Sequence, residues 1–225
     1  MQKKLLLISL LMTSNIYAQS CNIPNILPKA KNTKIDCINN TKADYYMLAL
    51  SYSPQFCYKH RQPSQNIQCK DNKFEFIVHG LWPQKTNANN KCEHPRNCLQ
   101  TSVDDKTIIQ NLCIMPSPTL INQEWQKHGS CSFNNPAEYY KNIQSLWNNL
   151  NKPAFNKNKN LTVQDIKQEF IKINKNLLAD NINVELQNKR FLSEVRICYD
   201  LKFNYKSCES KGAPDYLKVK LASDF

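Results

Sequence analysis

Apolar positions fall into short, separated runs along the chain, and their spacing switches between a period of two and a period of three to four. Residues 45–52 (YYMLALSY) are almost continuously apolar and aromatic. They read as a buried strand ended by Ser53-Pro54. Residues 74–79 form a second strand. On a period of two, Phe74, Phe76 and Val78 share one face, and Glu75, Ile77 and His79 share the other. Residues 184–186, 194–199 and the alternating run 216–221 read as later strands. Helical spacing marks 103–112, with Asp104 near its start, and 120–129, which stops at Gly129. It returns in 136–150, with Pro136 in the first turn, and in a helix that begins at Thr162 with Asp165 three residues on. Polar stretches separate these elements: 19–43, held by cysteines, then 58–72, the Asn/Pro/Cys-rich 84–102 and the Asn/Lys-rich 151–160. Strands and helices are grouped rather than alternating. That predicts an α+β fold, a mainly antiparallel sheet packed with several helices.

The first residues stand apart from this pattern. A basic start with Lys3 and Lys4 precedes the apolar run 5–12, and a small-residue cleavage site follows at Ala18. This predicts a signal peptide over 1–18 and one domain over 19–225, secreted or periplasmic. The apolar run is too short to span a bilayer, and Ala18-Gln19-Ser20 is a poor lipobox before Cys21. No membrane association is expected, and the domain is expected to be a monomer.

Charge and cysteine content narrow the partners. The formal net charge is +12, and it falls to +10 once Lys3 and Lys4 are removed. A basic exported protein suits a polyanion such as RNA. All ten cysteines, Cys21, Cys37, Cys57, Cys69, Cys92, Cys98, Cys113, Cys131, Cys198 and Cys208, lie in the domain. An even set behind a signal peptide predicts up to five disulfides. None has zinc-ligand spacing, so no metal and no cofactor is expected. Short separations predict the pairs Cys21–Cys37, Cys57–Cys69 and Cys198–Cys208. Cys92, Cys98, Cys113 and Cys131 are left with three possible pairings.

The chemistry gathers at two His-Gly steps. The chain has only three glycines, and two of them directly follow histidines: His79-Gly80 and His128-Gly129. Glycine serves where backbone must turn or approach something closely. Gly80 is expected to let the chain turn after the strand. Helical spacing puts Glu124, Lys127 and His128 on one surface, while Ile121 and Trp125 form its core stripe. Glu124 would raise the pKa of His128 and Lys127 would lower it. Trp82-Pro83 offers a rigid aromatic platform for a base. Two imidazoles and an ammonium supply a proton acceptor, a proton donor and a cation, which is what cleavage of a phosphodiester needs. RNA brings its own nucleophile in the 2′-hydroxyl. His60, His94 and the lysines of 152–160 read as ordinary loop residues, and Trp125 and Trp147 as core.

The segments HGLWP at 79–83 and EWQKHGSC at 124–131 resemble the two active-site segments of the ribonuclease T2 family. YYMLALSYSPQFC at 45–57 and ICYD at 197–200 with Cys208 resemble that family too, so the likeness spans roughly residues 44–208. It implies an endoribonuclease acting on single-stranded RNA through a 2′,3′-cyclic phosphate. It implies His128 as general base, His79 as general acid, and Glu124 and Lys127 steadying the transition state. Trp82 would form the base pocket or hold His79, and Cys131 would bridge to Cys92 or Cys98. Two positions depart from the family pattern. Gln123 stands where many members carry a phosphate-binding histidine, and Gln84 where many carry an aspartate that selects the base. Both are expected at the substrate. Gln123 also keeps a second reading in play, a secreted RNA-binding or toxin-like protein of the same fold with reduced turnover. A metal-dependent nuclease built on His79, Glu124 and His128 finds no carboxylate cluster to support it.

Overall fold

The computed structural model describes residues 21–59, 66–155 and 160–222. The expected signal peptide, His60 and the lysines of 156–159 lie outside the described residues.

Aromatic and branched residues at 45–52 form the strand β1 (Tyr45–Tyr52). It pairs with β2 (Phe76–Gln84) on one side and β5 (Phe191–Tyr199) on the other, and β4 (Ile182–Gln187) closes the sheet in the order β2-β1-β5-β4. Every pairing in this sheet is antiparallel. A second, two-stranded sheet joins β3 (Leu161–Thr162) to β6 (Lys218–Val219).

One face of the large sheet is the core. Leu48, Leu50 and Tyr52 of β1 meet Phe76, Val78, Val184, Val195 and Ile197 there, all buried. Three helices cover them with apolar stripes: α4 (Pro118–Lys127) through Ile121 and Trp125, α5 (Pro136–Asn149) through Tyr139 and Ile143, and α6 (Val163–Ile173) through Ile166 and Phe170. α3 (Asp105–Asn111) is capped by Asp104, whose carboxylate accepts from Thr107 N. Thr162 and Asp165 form a reciprocal capping box at the start of α6. Tyr139 Oη bonds both the amide and the carbonyl of Leu81, each at 3.1 Å, which fixes α5 to β2.

Ser53 does end β1, but the chain then enters two helices absent from the sequence reading, α1 (Ser53–Lys59) and α2 (Asn66–Cys69). Their signal is weak because they are short, and the Cys57–Cys69 bond supplies what periodicity does not. The second strand also runs further than expected, through Gly80, Trp82 and Pro83. Gly80 therefore does not turn the chain.

The five disulfides are Cys21–Cys113, Cys37–Cys92, Cys57–Cys69, Cys98–Cys131 and Cys198–Cys208. Cys57–Cys69 and Cys198–Cys208 agree with the local pairing, and Cys98–Cys131 with the bridge to the loop after HGLWP. Cys21–Cys37 does not form, so Cys92, Cys98, Cys113 and Cys131 are not a closed set. The reason is the path of the arm 21–43, which lies along α4 instead of folding on itself. Lys31 N donates to Thr119 Oγ1, Gln123 Nε2 and Asn122 Nδ2 donate to the carbonyls of Asn32 and Lys31, and Thr33 N donates to Gln126 Oε1. Cystines at either end of the arm then reach partners 92 and 55 residues away. Among the described residues, no helix is long and apolar enough to cross a membrane.

Candidate active site

The face of the sheet turned away from the core carries the site, and two irregularities aim it. Opposite β1, Ala49 pairs with Gly80 and Leu50 with Val78, so His79 is an extra residue with no partner. This bulge resets the alternation of β2: Val78 faces the core before it and Leu81 after it. His79 and Trp82, three residues apart, therefore emerge on the same face, with ring centroids 5.2 Å apart in an edge-on arrangement. In β5, Glu194 pairs with Glu185 and Leu192 with Leu186, leaving Ser193 as a second extra residue. Ser193 and Glu194 then both face the cavity beside His79.

His79 is held between two carboxylates. Its Nδ1 is 2.6 Å from Glu194 Oε1, and its Nε2 is 3.7 Å from Glu124 Oε1. A carboxylate only accepts, so Nδ1 carries a proton. The other Glu194 oxygen receives the Arg196 fork, at 2.9 Å from Nε and 2.7 Å from Nη2. Arg196 Nη1 reaches Glu185 at 2.9 Å, and the guanidinium lies 5.1 Å from the Trp82 ring. Burial would lower the pKa of His79, but the Glu194 hydrogen bond and the charges of Glu124 and Glu194 outweigh it and hold the pKa above its ordinary value. Burial works against Glu194 as well, yet His79 and Arg196 pull its pKa down to about 2.

Trp82 connects the two histidines. Its Nε1 donates to Glu124 Oε2 at 2.7 Å, and its ring lies 5.5 Å from that of His128 at an angle of 34°. Burial raises the pKa of Glu124 against the opposing pull of His79, Trp82 and Lys127. Close approach accounts for Gly80: a Cβ there would collide with Glu124 Oε2 and stand 2.6 Å from Trp82 Nε1. A Cβ at Gly129 would meet Tyr139 and Trp125 at 2.7 and 2.8 Å. Neither glycine has a positive φ, so the helix does not end in a left-handed glycine cap. Instead, α4 ends at Lys127 and His128 is its cap, with φ −125° and ψ −56°.

His128 is only 8 % exposed. Burial first, then the charges of Lys127, Arg96 and His79, hold its pKa well below the usual value, so the ring is neutral at neutral pH. Glu124 therefore acts on His79 and Trp82 rather than on His128, although helical spacing places it beside His128. Lys127 makes no ion pair among the described residues, and its carbonyl accepts from Asn97 N at 2.8 Å.

A cavity of about 500 Å³ opens from His79. Its walls include Glu194, Arg196, Gln55, Ser117 and Gln123, but not Trp82, Glu124, Lys127 or His128. The site thus has two sides that share His79. Gln123 lies on the cavity wall with its amide donating to Asn32 O at 2.9 Å. Gln84 is buried at the end of β2, away from the cavity, with Nε2 on the Pro83 carbonyl. His94 Nδ1 accepts from Lys85 N at 3.1 Å, and Trp125 and Trp147 are core. Glu194, Arg196 and Glu185 were missed from the sequence. Their signal was present: Glu194 and Arg196 alternate on one face of the predicted strand 194–199, opposite an apolar face.

Comparison with known proteins adds a family frame. Residues 43–208 match the model of the ribonuclease T2 family. A probable ribonuclease of Haemophilus influenzae is 38% identical over 184 residues, which is 76% of this chain and 64% of that protein. A ribonuclease of Aeromonas hydrophila is 36% identical over 89 residues, 40% of this chain and 38% of that one. The chain thus spans less than two thirds of the length of these bacterial relatives. Among solved structures, the RNase-related protein from Calystegia sepium superposes with a TM-score of 0.65 at 21% identity, covering 82% of this chain and all of that one. At that identity the likeness shows the fold.

Proposed function

The chain belongs to the ribonuclease T2 family, and from that premise we propose that it is an endoribonuclease that cleaves single-stranded RNA by acid–base transesterification. One observation carries the reading: two imidazoles flank Trp82, one bonded to a carboxylate and the other buried without one among the described residues, and their pKa values are pushed in opposite directions. Glu194 and Glu124 raise the pKa of His79 against its burial, and burial and Lys127 lower that of His128. An acid and a base with separated pKa values are what the reaction needs at one pH.

In this reading His128 takes the proton of the 2′-hydroxyl. The 2′-oxygen then attacks phosphorus, the bond to the 5′-oxygen breaks, and His79 gives that oxygen its Nε2 proton. The product is a 2′,3′-cyclic phosphate, which water opens with the two roles exchanged. Each proton transfer is worth on the order of a hundred- to ten-thousand-fold. Lys127 stabilises the charge that grows on the phosphoryl oxygens. The Glu124 carboxylate, 3.7 Å from His79 Nε2, favours the charged imidazole through its own charge, and it anchors Trp82. Trp82 offers its ring to a base. Gln84 and Gln123, whose amides donate to Pro83 O and Asn32 O, each keep a second Nε2 hydrogen to offer to base and phosphate.

The working form is the domain after removal of 1–18, a monomer in a secreted or periplasmic setting. Five disulfides suit such an oxidising compartment. The purified domain is expected to degrade single-stranded RNA in the presence of EDTA and to spare DNA, which lacks the 2′-hydroxyl. No cleavage of RNA, or equal cleavage of DNA, rejects this function.

A further inference from the structure

The arm 21–42 lies outside the segment that matches the family model. It is nevertheless tied to the domain at both ends and along its middle. Cystines fix it at Cys21 and Cys37, and hydrogen bonds join it to α4 between them. Two of those bonds end on the wall of the cavity beside His79: Lys31 N donates to Thr119, and Gln123 donates to Asn32 O.

The arm is also a run of unneutralised positive charge. Lys29, Lys31 and Lys34 are exposed, and none has an ion-pair partner among the described residues. The single acidic residue of the arm, Asp36, is taken by Lys91 at 2.8 Å and Arg96 at 2.8 Å. The three lysines fall within six residues, a span of at most about 18 Å from Lys29 to Lys34. Gln123, the wall residue bonded to the arm, carries no charge itself.

We infer that this arm is a binding rail for the RNA backbone: Lys29, Lys31 and Lys34 hold phosphates of the strand beyond the step being cleaved, along the arm that leads away from the cavity wall at Thr119 and Gln123. Ammonium groups recognise phosphate as point charges and read no sequence, so the ligand class is a polynucleotide strand of any base composition. Because the cystines already order the arm, little conformational freedom is lost on binding. The inference rests on the ribonuclease reading for its substrate, but its test can be separated from that reading.

The test uses a 2′-O-methylated RNA strand, which binds but cannot be cleaved. Affinity is read by fluorescence anisotropy for the full disulfide-bonded domain and for its Lys29→Gln/Lys31→Gln/Lys34→Gln variant. Each phosphate contact on a single strand contributes about 0.7 to the slope of log affinity against log salt, so loss of three makes the slope shallower by about 2. Between about 50 and 200 mM salt, such a difference in slope amounts to a change of more than tenfold in relative affinity. An unchanged slope with affinity within about twofold overturns the rail. Binding to phosphatidylglycerol vesicles that falls while RNA binding holds overturns it equally, and assigns the arm to a membrane surface. Dinucleotide cleavage by the unaltered domain is measured alongside. Its absence rejects the ribonuclease reading and leaves the arm's RNA affinity to be judged on the anisotropy.

Discussion

Glu194 Oε1 stands 2.6 Å from Nδ1 of His79, on the same face of the sheet but 115 residues later in the chain. The same carboxylate accepts the Arg196 fork through its other oxygen. Glu194 thus orients the ring, fixes which nitrogen bears the obligatory proton, and supplies the negative charge that keeps the second proton on. It is a positioning residue.

Glu194→Gln tests this through the pH profile. The neutral amide removes a charge that raises the His79 pKa, so that pKa falls. In the proposed mechanism His79 must be protonated, so the alkaline limb of kcat/KM for a dinucleotide moves to lower pH. A limb that stays in place in an otherwise folded variant rules the role out.

Lys127→Ala acts on the opposite limb. Lys127 is one of the charges that lower the His128 pKa, and its loss lets that pKa rise. The acid limb, set by the fraction of neutral His128, moves upward, while the plateau also drops because a cation is lost from the transition state. A drop without a shift assigns Lys127 to the transition state alone.

His79→Ala and His128→Ala each lower turnover on RNA by about a hundred- to ten-thousand-fold, with the fold intact by circular dichroism. Near-normal activity in either variant removes that histidine from the acid–base pair.

Stability should carry the sign of the buried His128. Its folded pKa lies below the ordinary 6.5, so as pH falls through 6.5 the unfolded chain takes a proton that the folded protein refuses. This contribution to stability is present above 6.5 and declines below it, by up to about 1.4 kcal/mol per pH unit. His79 has the opposite sign, since its raised pKa stabilises below 6.5 and the gain is lost as pH rises through the folded value. Urea denaturation at pH 5 and 7 isolates the first effect when His128→Gln is compared with the unaltered domain. The variant gains on the parent at the acid end, and parallel behaviour contradicts the assignment.

Gly80→Ala places a methyl group against Glu124 Oε2 and Trp82 Nε1. Overpacking of this kind costs about 1–3 kcal/mol. Activity should fall with stability because the same two groups frame the acid. Denaturant midpoints and dinucleotide kinetics measure both.

Much of the site was legible because its residues are neighbours in the chain. EWQKHG sits at the end of one helix, and HGLWP lies within one strand. The α6 capping box and the core stripe of Ile121 and Trp125 also follow from local spacing. What escaped depends on contacts between distant segments. Glu194 becomes a partner of His79 only after β1 brings β2 and β5 to either side of itself. The pairs Cys21–Cys113 and Cys37–Cys92 depend on an arm whose course is set by side chains of α4. Gly80 was read as a turn because a glycine signals either a bend or a tight fit, and here the fit is to Glu124 across 44 residues.

The unpaired His79 has a further consequence for how this strand tolerates changes in length. The bulge works like a frameshift in a two-letter alphabet of in and out: one added residue changes the parity of everything after it. Deleting a single residue between Val78 and Leu81 would restore an uninterrupted ladder and would make a more regular strand. Removing Gly80 in this way would keep the imidazole and the indole on one side of the sheet, two residues apart, but would put a side chain opposite Ala49, where a Cβ collides with Glu124 Oε2. Regularity and activity are therefore in conflict at this point, and the three-residue interval from His79 to Trp82 is a fixed length rather than a spacer.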